Sequence, residues 1–388
     1  MAAMRIICVH QGFELYGSDR SFIESVTSFR DAWPQADIEV VLPCEGPIVA
    51  PLRAIATRVV IGPVFVLRRR GFPKLVATAP FRLLPALWRA ARRMRAADLI
   101  YVNTVVVLDY LLIARIFSAR TLVHVHEIPD GLKLKFFRVL LAWTRAEMIF
   151  NSKATRAAYR LRAGSAQHVV YNGIAAPSVA SHSRYEGKDA LRILMLGRIS
   201  RIKGQDLLIE ALARLPTDIV CRLEVRIVGD SFNNDVTREA TLRAAIQAAG
   251  LDATVHIEPF QSDPAPLYRW AHIVVVPSRL PESLGRVAIE AMAFGRPPLV
   301  VNLGGLTEIV EDGVTGWVLP PNNADALAHA IEKIATQPGT WSTFGGAARA
   351  RFEAVFDSRV IRRQFQSIAR VRLTGRESKA TAHGLARI

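Results

Sequence analysis

What most constrains this chain is a strand–helix alternation that runs through its first half, breaks off, and starts again. In the first half, residues 4–10, 38–42, 58–61, 98–102, 121–125, 147–150 and 167–171 read as strands. Residues 18–30, 75–94 and 152–162 read as helices between them, the second interrupted by Pro80 and Pro85. Ser18 or Asp19 starts the first helix as an N-cap, and Ser152 starts the third. Residues 173–190 then carry no period and read as a linker. Beyond them, strands at 191–196, 222–228, 254–257, 272–276 and 298–301 alternate with helices at 205–214, 235–249, 263–270 and 284–294. Strands that alternate with helices form parallel sheets covered on both faces. Two such blocks in 388 residues predict two doubly wound α/β domains. Ligands of such sheets bind beyond the carboxyl ends of the strands.

The chain is 51% hydrophobic and 22% charged, which excludes an intrinsically disordered protein. Cys8, Cys44 and Cys221 are far apart and odd in number, so a reducing compartment is expected rather than a disulfide framework. Residues 4–10 read as a buried strand, not a signal peptide. The most apolar stretch, 99–117, contains Asn103, Asp109 and Arg115, so no span is expected. Together these predict a cytoplasmic protein.

Charge is uneven. Residues 1–175 hold 24 Lys/Arg against 12 Asp/Glu, a net of +12, and residues 176–388 hold 26 against 22, a net of +4. No acid lies between Glu45 and Asp98, whereas Arg53, Arg58, Arg68, Arg69, Arg70, Lys74, Arg82, Arg89, Arg92, Arg93 and Arg95 do. Phe65, Phe72, Phe81 and Trp88 are interleaved with them. Cations beside aromatics suit an anionic membrane surface on the cytoplasmic face, or an anionic substrate. A solvated basic face is the plainer reading. No nucleic-acid-binding motif accompanies the charge.

Four loops after strands carry chemistry. The first, residues 12–18, includes Gly17 and Ser18 ahead of a helix, a place for an anion, but lacks the GxGxxG dinucleotide fingerprint. The second is His124-Val125-His126-Glu127, where His126 either faces a ligand or serves as a hydrogen-bonded structural histidine. The third, residues 197–204, sets Arg198 and Lys203 before a helix, a combination suited to a diphosphate. The fourth runs from Pro281 to Glu290. Glu282 and Glu290 lie eight residues apart, near one face of a helix, and can accept from sugar or ribose hydroxyls. The backbone N–H groups of Leu284 and Gly285 open that helix and remain for an anion. Paired carboxylates also occur as a glycosidase acid and nucleophile. The phosphate loop and the parallel folds oppose that alternative.

These loops resemble glycosyltransferase family 4, a group of retaining enzymes with two Rossmann-like doubly wound domains facing a central cleft, the GT-B architecture. The resemblance covers about residues 4–370. It rests on Leu196-Gly197-Arg198 through Lys203-Gly204, Glu282 through Glu290, Gly304-Gly305-Leu306, residues 313–317, and Asn172-Gly173. It implies an acceptor-binding domain at 1–174, a linker at 175–190 and a nucleotide-sugar-binding domain at 191–357. A helix at 358–372 would cross back to the first domain, ahead of a polar tail at 373–388.

By resemblance, Arg198 and Lys203 hold the donor diphosphate, Glu282 binds the transferred sugar, and Glu290 binds the ribose. Ser283, Leu284 and Gly285 face phosphate and sugar, and His126 contacts the sugar in the transition state. Gly17 and Ser18 occupy the first loop, where this chain lacks the family's double glycine. Arg286 stands at a position often apolar in the family.

The expected activity is retaining transfer, of the hexosyltransferase type, from a UDP or GDP sugar to a lipid-linked or envelope polysaccharide acceptor. No Asp-x-Asp triplet occurs, so no metal and no other cofactor is expected. The alternatives are a sugar-nucleotide epimerase of the same architecture and a non-catalytic sugar-nucleotide or membrane-binding protein.

Overall fold

The computed structural model describes residues 4–385 except 14, 16, 68–71, 163–165, 178–183 and 232–235. The side chains of 72–81, 236 and 374–385 also lie outside the description. The chain divides into two compact units, Met1–Gly173 with Ser358–Ile388, and Ile174–Asp357.

The first unit is built on a parallel sheet of β1 (Arg5–Val9), β2 (Asp37–Leu42), β3 (Arg58–Ile61), β4 (Leu99–Asn103), β5 (Thr121–Val125), β6 (Glu147–Phe150) and β7 (Gln167–Val169). Its strand order is β3-β2-β1-β4-β5-β6-β7. The order reverses between β1 and β4, which pair Val9 with Val102. Helices cover both faces, as buried strands on both sides require. On one face lie α1 (Gly17–Ala32), α2 (Val49–Ile55) and α15 (Ser358–Leu385), which pack Phe22, Phe29, Leu52 and Phe365 against Ile6, Val40 and Tyr101. On the other lie α3 (Phe72–Arg95), α4 (Leu108–Ala114) and α5 (Gly131–Thr144), which pack Ala86, Ala90, Tyr110, Leu111 and Leu141 against Ile7, Ile100 and Val123.

The second unit repeats the plan with β8 (Leu191–Leu196), β9 (Leu223–Val228), β10 (Val255–Glu258), β11 (Ile273–Val276), β12 (Pro298–Val301) and β13 (Trp317–Leu319), in the order β10-β9-β8-β11-β12-β13. Here the reversal falls between β8 and β11. After α6 (Lys153–Tyr159) of the first unit, the helices of the second are α7 (Gln205–Leu212), α8 (Thr217–Val220), α9 (Val236–Ala248), α10 (Ala265–Trp270), α11 (Arg286–Ala293), α12 (Leu306–Ile309), α13 (Ala324–Thr336) and α14 (Phe344–Arg351).

Several local expectations are corrected. The α3 helix runs through Pro80 and Pro85 without a break. A proline removes one backbone hydrogen bond and crowds the preceding turn. Ala86, Ala90 and Met94, buried at four-residue spacing, supply an apolar face that outweighs the loss at Pro85. Helix α1 begins at Gly17, ahead of the cap expected at Ser18 or Asp19. The final helix continues through the segment read as a polar tail, to Leu385. Strand β13 is three residues long and gave no periodic signal.

Within the first unit α15 docks on α1. Arg362 Nη2 lies 2.8 Å from Glu24 Oε2, and the Phe365 ring sits 5.2 Å from Phe29 and 5.4 Å from Tyr101. In the second unit Ile174 forms a parallel bridge with Asp357, and Tyr185, from the described part of the expected linker, is buried with its hydroxyl donating to Ala335 O.

Candidate functional site

In each unit polar side chains collect where the strand order reverses, the place where doubly wound sheets bind ligands. Most of the expected donor-site residues lie in the second unit.

Strand β8 is followed by Gly197, whose φ of 142° lies in the region that side chains avoid. The loop it opens is pressed against its neighbours. A Cβ on Gly229 would fall 2.2 Å from Gly197 O, and one on Gly204 would fall 2.1 Å from Pro277 O. These glycines let the loop after β8 touch the loop after β11. That contact brings Lys203 to Glu282, with Nζ 2.8 Å from Oε1. The Ser278 hydroxyl donates to the same oxygen. Burial pushes the Glu282 carboxyl up, but the Lys203 ammonium and the two hydrogen bonds outweigh it and hold the group below its ordinary range. The site therefore presents a carboxylate beside an ammonium, both partly open to solvent.

Arg198 is exposed on the same loop, and its carbonyl accepts from Gln205 Nε2 at 3.0 Å. The turn of residues 282–285 rests on a second glycine pair. Gly305 N donates to Glu282 O at 2.8 Å, and a Cβ on Gly304 would meet Glu282 O at 2.2 Å. Leu284 is buried, and Ser283 is half-buried. Gly285, at φ 91°, is the N-cap of α11 and has no side chain to cap it.

This geometry corrects one expectation. Glu282 lies outside the helix, which starts at Arg286, so the eight-residue spacing to Glu290 is not a helical one. The left-handed turn at Gly285 separates the two acids. Glu290 stands inside α11 with both oxygens engaged: Tyr268 OH donates to Oε2 and Arg286 Nε to Oε1, each at 2.7 Å. Arg286 is thus tied to Glu290. Each carboxylate oxygen keeps a second lone pair for another donor.

The first unit carries a denser cluster. His10 follows β1, Asn103 ends β4, and His126 follows β5. Asn103 Nδ2 lies 2.8 Å from His10 Nδ1, and His10 Nε2 lies 2.6 Å from Asp19 Oδ1. An amide nitrogen only donates, so His10 Nδ1 accepts and Nε2 donates to Asp19. Asn103 Oδ1 receives His126 Nε2 at 2.8 Å, which leaves His126 Nδ1 buried with no hydrogen-bond partner among the described residues. The His124 and His126 rings lie 3.9 Å apart. Burial, with His124 and His10 nearby, drives the His126 imidazole well below its ordinary pKa, so it is neutral. The adjacent Glu127 is pushed by burial up to about 7.

Gly12 and Leu15, in the loop before α1, lie against Asp19 of this cluster. A Cβ on Gly12 would fall 1.8 Å from Asp19 Oδ1. Leu15, at φ 79°, donates its N–H to Asp19 Oδ2 at 2.8 Å. Thr104, next to Asn103, also has a positive φ, 84°. Two left-handed non-glycine residues beside one polar cluster are strain of the kind concentrated at functional sites. Gly17 and Ser18 form the first turn of α1, half-buried. The Asp19 carboxylate already occupies that helix start and competes with any incoming anion. Glu14 and Tyr16 lie outside the described residues.

The structure thus brings Lys203, Glu282 and Ser283–Gly285 together in one unit, and His126 with the start of α1 in the other. Sequence reasoning missed Asn103 as the partner of His126, His10 and Asp19 behind it, and Tyr268 and Ser278 as partners of the acids. The available signal was a polar residue at the carboxyl end of an otherwise apolar strand, at His10 and Asn103.

Residues 181–351 match the family of glycosyl transferases group 1. The second unit is a group 1 glycosyltransferase domain. The chain is 40% identical over 166 residues to a D-inositol 3-phosphate glycosyltransferase of Kribbella flavida, an alignment covering 42% of this chain and 39% of that one. A D-inositol 3-phosphate glycosyltransferase of Nocardiopsis dassonvillei is 36% identical over 151 residues, covering 38% and 35%. The match thus spans about two fifths of these relatives' length. Among solved structures, Anabaena Alr3699/HepE in complex with UDP and glucose superposes with a TM-score of 0.77 at 24% identity, covering 94% of this chain and 99% of that one. A glycosyltransferase from Rickettsia africae gives 0.77 at 19% identity, covering 96% and 99%. The fold of this chain is therefore the GT-B fold of these glycosyltransferases. Among the described residues no helix is long and apolar enough to cross a membrane.

Proposed function

We propose that the chain is a retaining glycosyltransferase of family 4 that takes a sugar from a nucleoside diphosphate sugar. The observation that carries this reading is the Lys203–Glu282 pair at the strand reversal of a group 1 glycosyltransferase domain. A diphosphate beside Lys203 and Arg198 offers oxygens to two cations. A sugar hydroxyl beside Glu282 donates to a carboxylate kept ionised by Lys203. Glu290 accepts from the ribose, held in aim by Tyr268 and Arg286. The uncapped start of α11 at Gly285 leaves amide dipoles for phosphate or sugar oxygens.

In the transfer, the bond from the anomeric carbon to the diphosphate oxygen breaks while the acceptor oxygen approaches the same face. The acceptor proton passes to the departing diphosphate. Cations stabilise the charge that grows there, so the protein's contribution is electrostatic and positional. The neutral imidazole of His126 is assigned to the sugar, and no metal takes part. The donor is a UDP or GDP sugar, and the acceptor an anionic or lipid-linked glycan, in keeping with the +12 excess of residues 1–175.

A thermal-shift screen of nucleotides and nucleotide sugars, repeated with a chelator, tests the reading, because a ligand of the folded state raises the midpoint. Stabilisation by one nucleoside diphosphate sugar, unaffected by the chelator, is expected. No response to any of them contradicts the proposal.

A further inference from the structure

Seven of the twelve large apolar side chains exposed among the described residues lie on one side of the first unit: Leu84, Trp88, Ile116, Leu132, Phe136, Val139 and Trp143. They lie on α3, just after α4 at Ile116, and on α5, helices that cover one face of the sheet. On α5 the pattern is regular. Leu132, Phe136, Val139 and Trp143 follow one another by four, three and four residues, and so fall within an arc of about 60°. Their exposures are 80%, 48%, 70% and 53%. The buried side of the same helix is a different stripe, Phe137, Leu140, Leu141 and Thr144. Helix α5 therefore carries two apolar faces, of which the fold uses one.

Charge decides what the second face meets. Lys133 and Lys135 are exposed on α5, and Arg82, Arg92 and Arg95 are exposed on α3. Arg92 lies over the Trp88 ring at 5.3 Å, and Arg115 over Trp143 at 5.1 Å. No acid occurs from 46 to 97 or from 131 to 146, and Asp130 stands just before α5. A second copy of this chain would bring cations against cations. A bilayer with anionic headgroups accepts both features, because aromatic and aliphatic side chains enter the headgroup boundary while the cations stay at the phosphates.

We propose that this α3–α5 face docks the protein on an anionic lipid surface, with Phe136 and Trp143 as the inserted anchors. Sequence reasoning placed the basic attraction at 45–98, of which Arg68–Arg70 and the side chain of Lys74 lie outside the described residues. The apolar anchor is on α5, where it was not expected. The surface belongs to the first unit and stands whether or not the second unit binds a nucleotide sugar.

Co-sedimentation of the full chain with phosphatidylcholine vesicles, with and without phosphatidylglycerol, tests the proposal. The wild type is expected to pellet with the anionic vesicles only, less so as salt rises. Phe136→Ser/Trp143→Ser should weaken that binding about tenfold or more at an unchanged melting temperature. Phe260→Ser, at an exposed phenylalanine of the second unit, should bind as the wild type does. Wild type that fails to bind anionic vesicles at low salt overturns the proposal. So does equal binding by the double variant. A double variant that instead converts an oligomer to a monomer, with no vesicle binding by either form, assigns the face to a protein partner and also overturns it.

Discussion

Lys203 Nζ lies 2.8 Å from Glu282 Oε1 across 79 residues of sequence, joined because the loops after β8 and β11 meet backbone to backbone at Gly204 and Pro277. The pair holds a carboxylate ionised in a partly buried place and sets a cation beside it. The proposed donor site uses that combination, the cation for a diphosphate and the carboxylate for a sugar hydroxyl.

The two members should separate kinetically. Glu282→Gln keeps the size of the side chain but loses the charged acceptor. It should lower kcat by about 100-fold while nucleoside diphosphate affinity changes by less than about threefold. Steady-state transfer kinetics with parallel titration of the free diphosphate check this. Equal losses in both quantities would place Glu282 at the phosphates instead.

The close approach at Gly204 should be indispensable. Its φ is 80°, and an added Cβ would sit 2.1 Å from Pro277 O. Gly204→Ala should cost about 2–3 kcal/mol of stability and loosen the Lys203–Glu282 contact. Urea denaturation measures the first effect. Gly62→Ala, where a Cβ would meet nothing within 4 Å, should cost little.

Much of this was legible before any coordinates. Periodicity located twelve of the thirteen strands among the described residues, because a buried parallel strand is a short apolar run between turn residues. It missed β13, which has only three residues. The loops after β8 and β11 could be picked out by their cations, acids and glycines. Their meeting could not, since the Gly204–Pro277 contact depends on the order of strands in the sheet. The polar cluster under His126 was hidden for the same reason. His10, Asp19, Asn103 and His126 come from four separate segments, and each alone reads as an ordinary polar residue at the end of an element. The second stripe of α5 was written in the sequence, but which side of that helix meets the sheet was not.

That cluster leads to a stability prediction. Asn103 serves His10 with its nitrogen and His126 with its oxygen, both at 2.8 Å and all three residues buried. Asn103→Ala strands two imidazole nitrogens and should destabilise the protein by about 2–4 kcal/mol, measured by chemical denaturation. A cost under about 0.5 kcal/mol would mean that water replaces the amide.

Glu127 supplies a pH signature. Burial raises its pKa from 4.5 to about 7 in the folded chain. A raised carboxyl contributes stability that is fully present below its unfolded pKa and is lost as pH rises through the folded one. The loss therefore falls between about pH 4.5 and 7 and amounts to roughly 3 kcal/mol at most. Glu127→Gln mimics the protonated form. Its melting temperature relative to wild type should be close to zero difference at pH 5 and clearly higher at pH 8. A difference that does not change with pH would show that the carboxyl titrates normally.

The most direct measurement is calorimetric titration of the wild type and Lys203→Ala with the nucleoside diphosphate sugar found by the thermal-shift screen, with melting temperatures recorded for both. The account predicts saturable binding by the wild type and a loss of about tenfold or more in the folded variant. Undiminished binding by folded Lys203→Ala would contradict it.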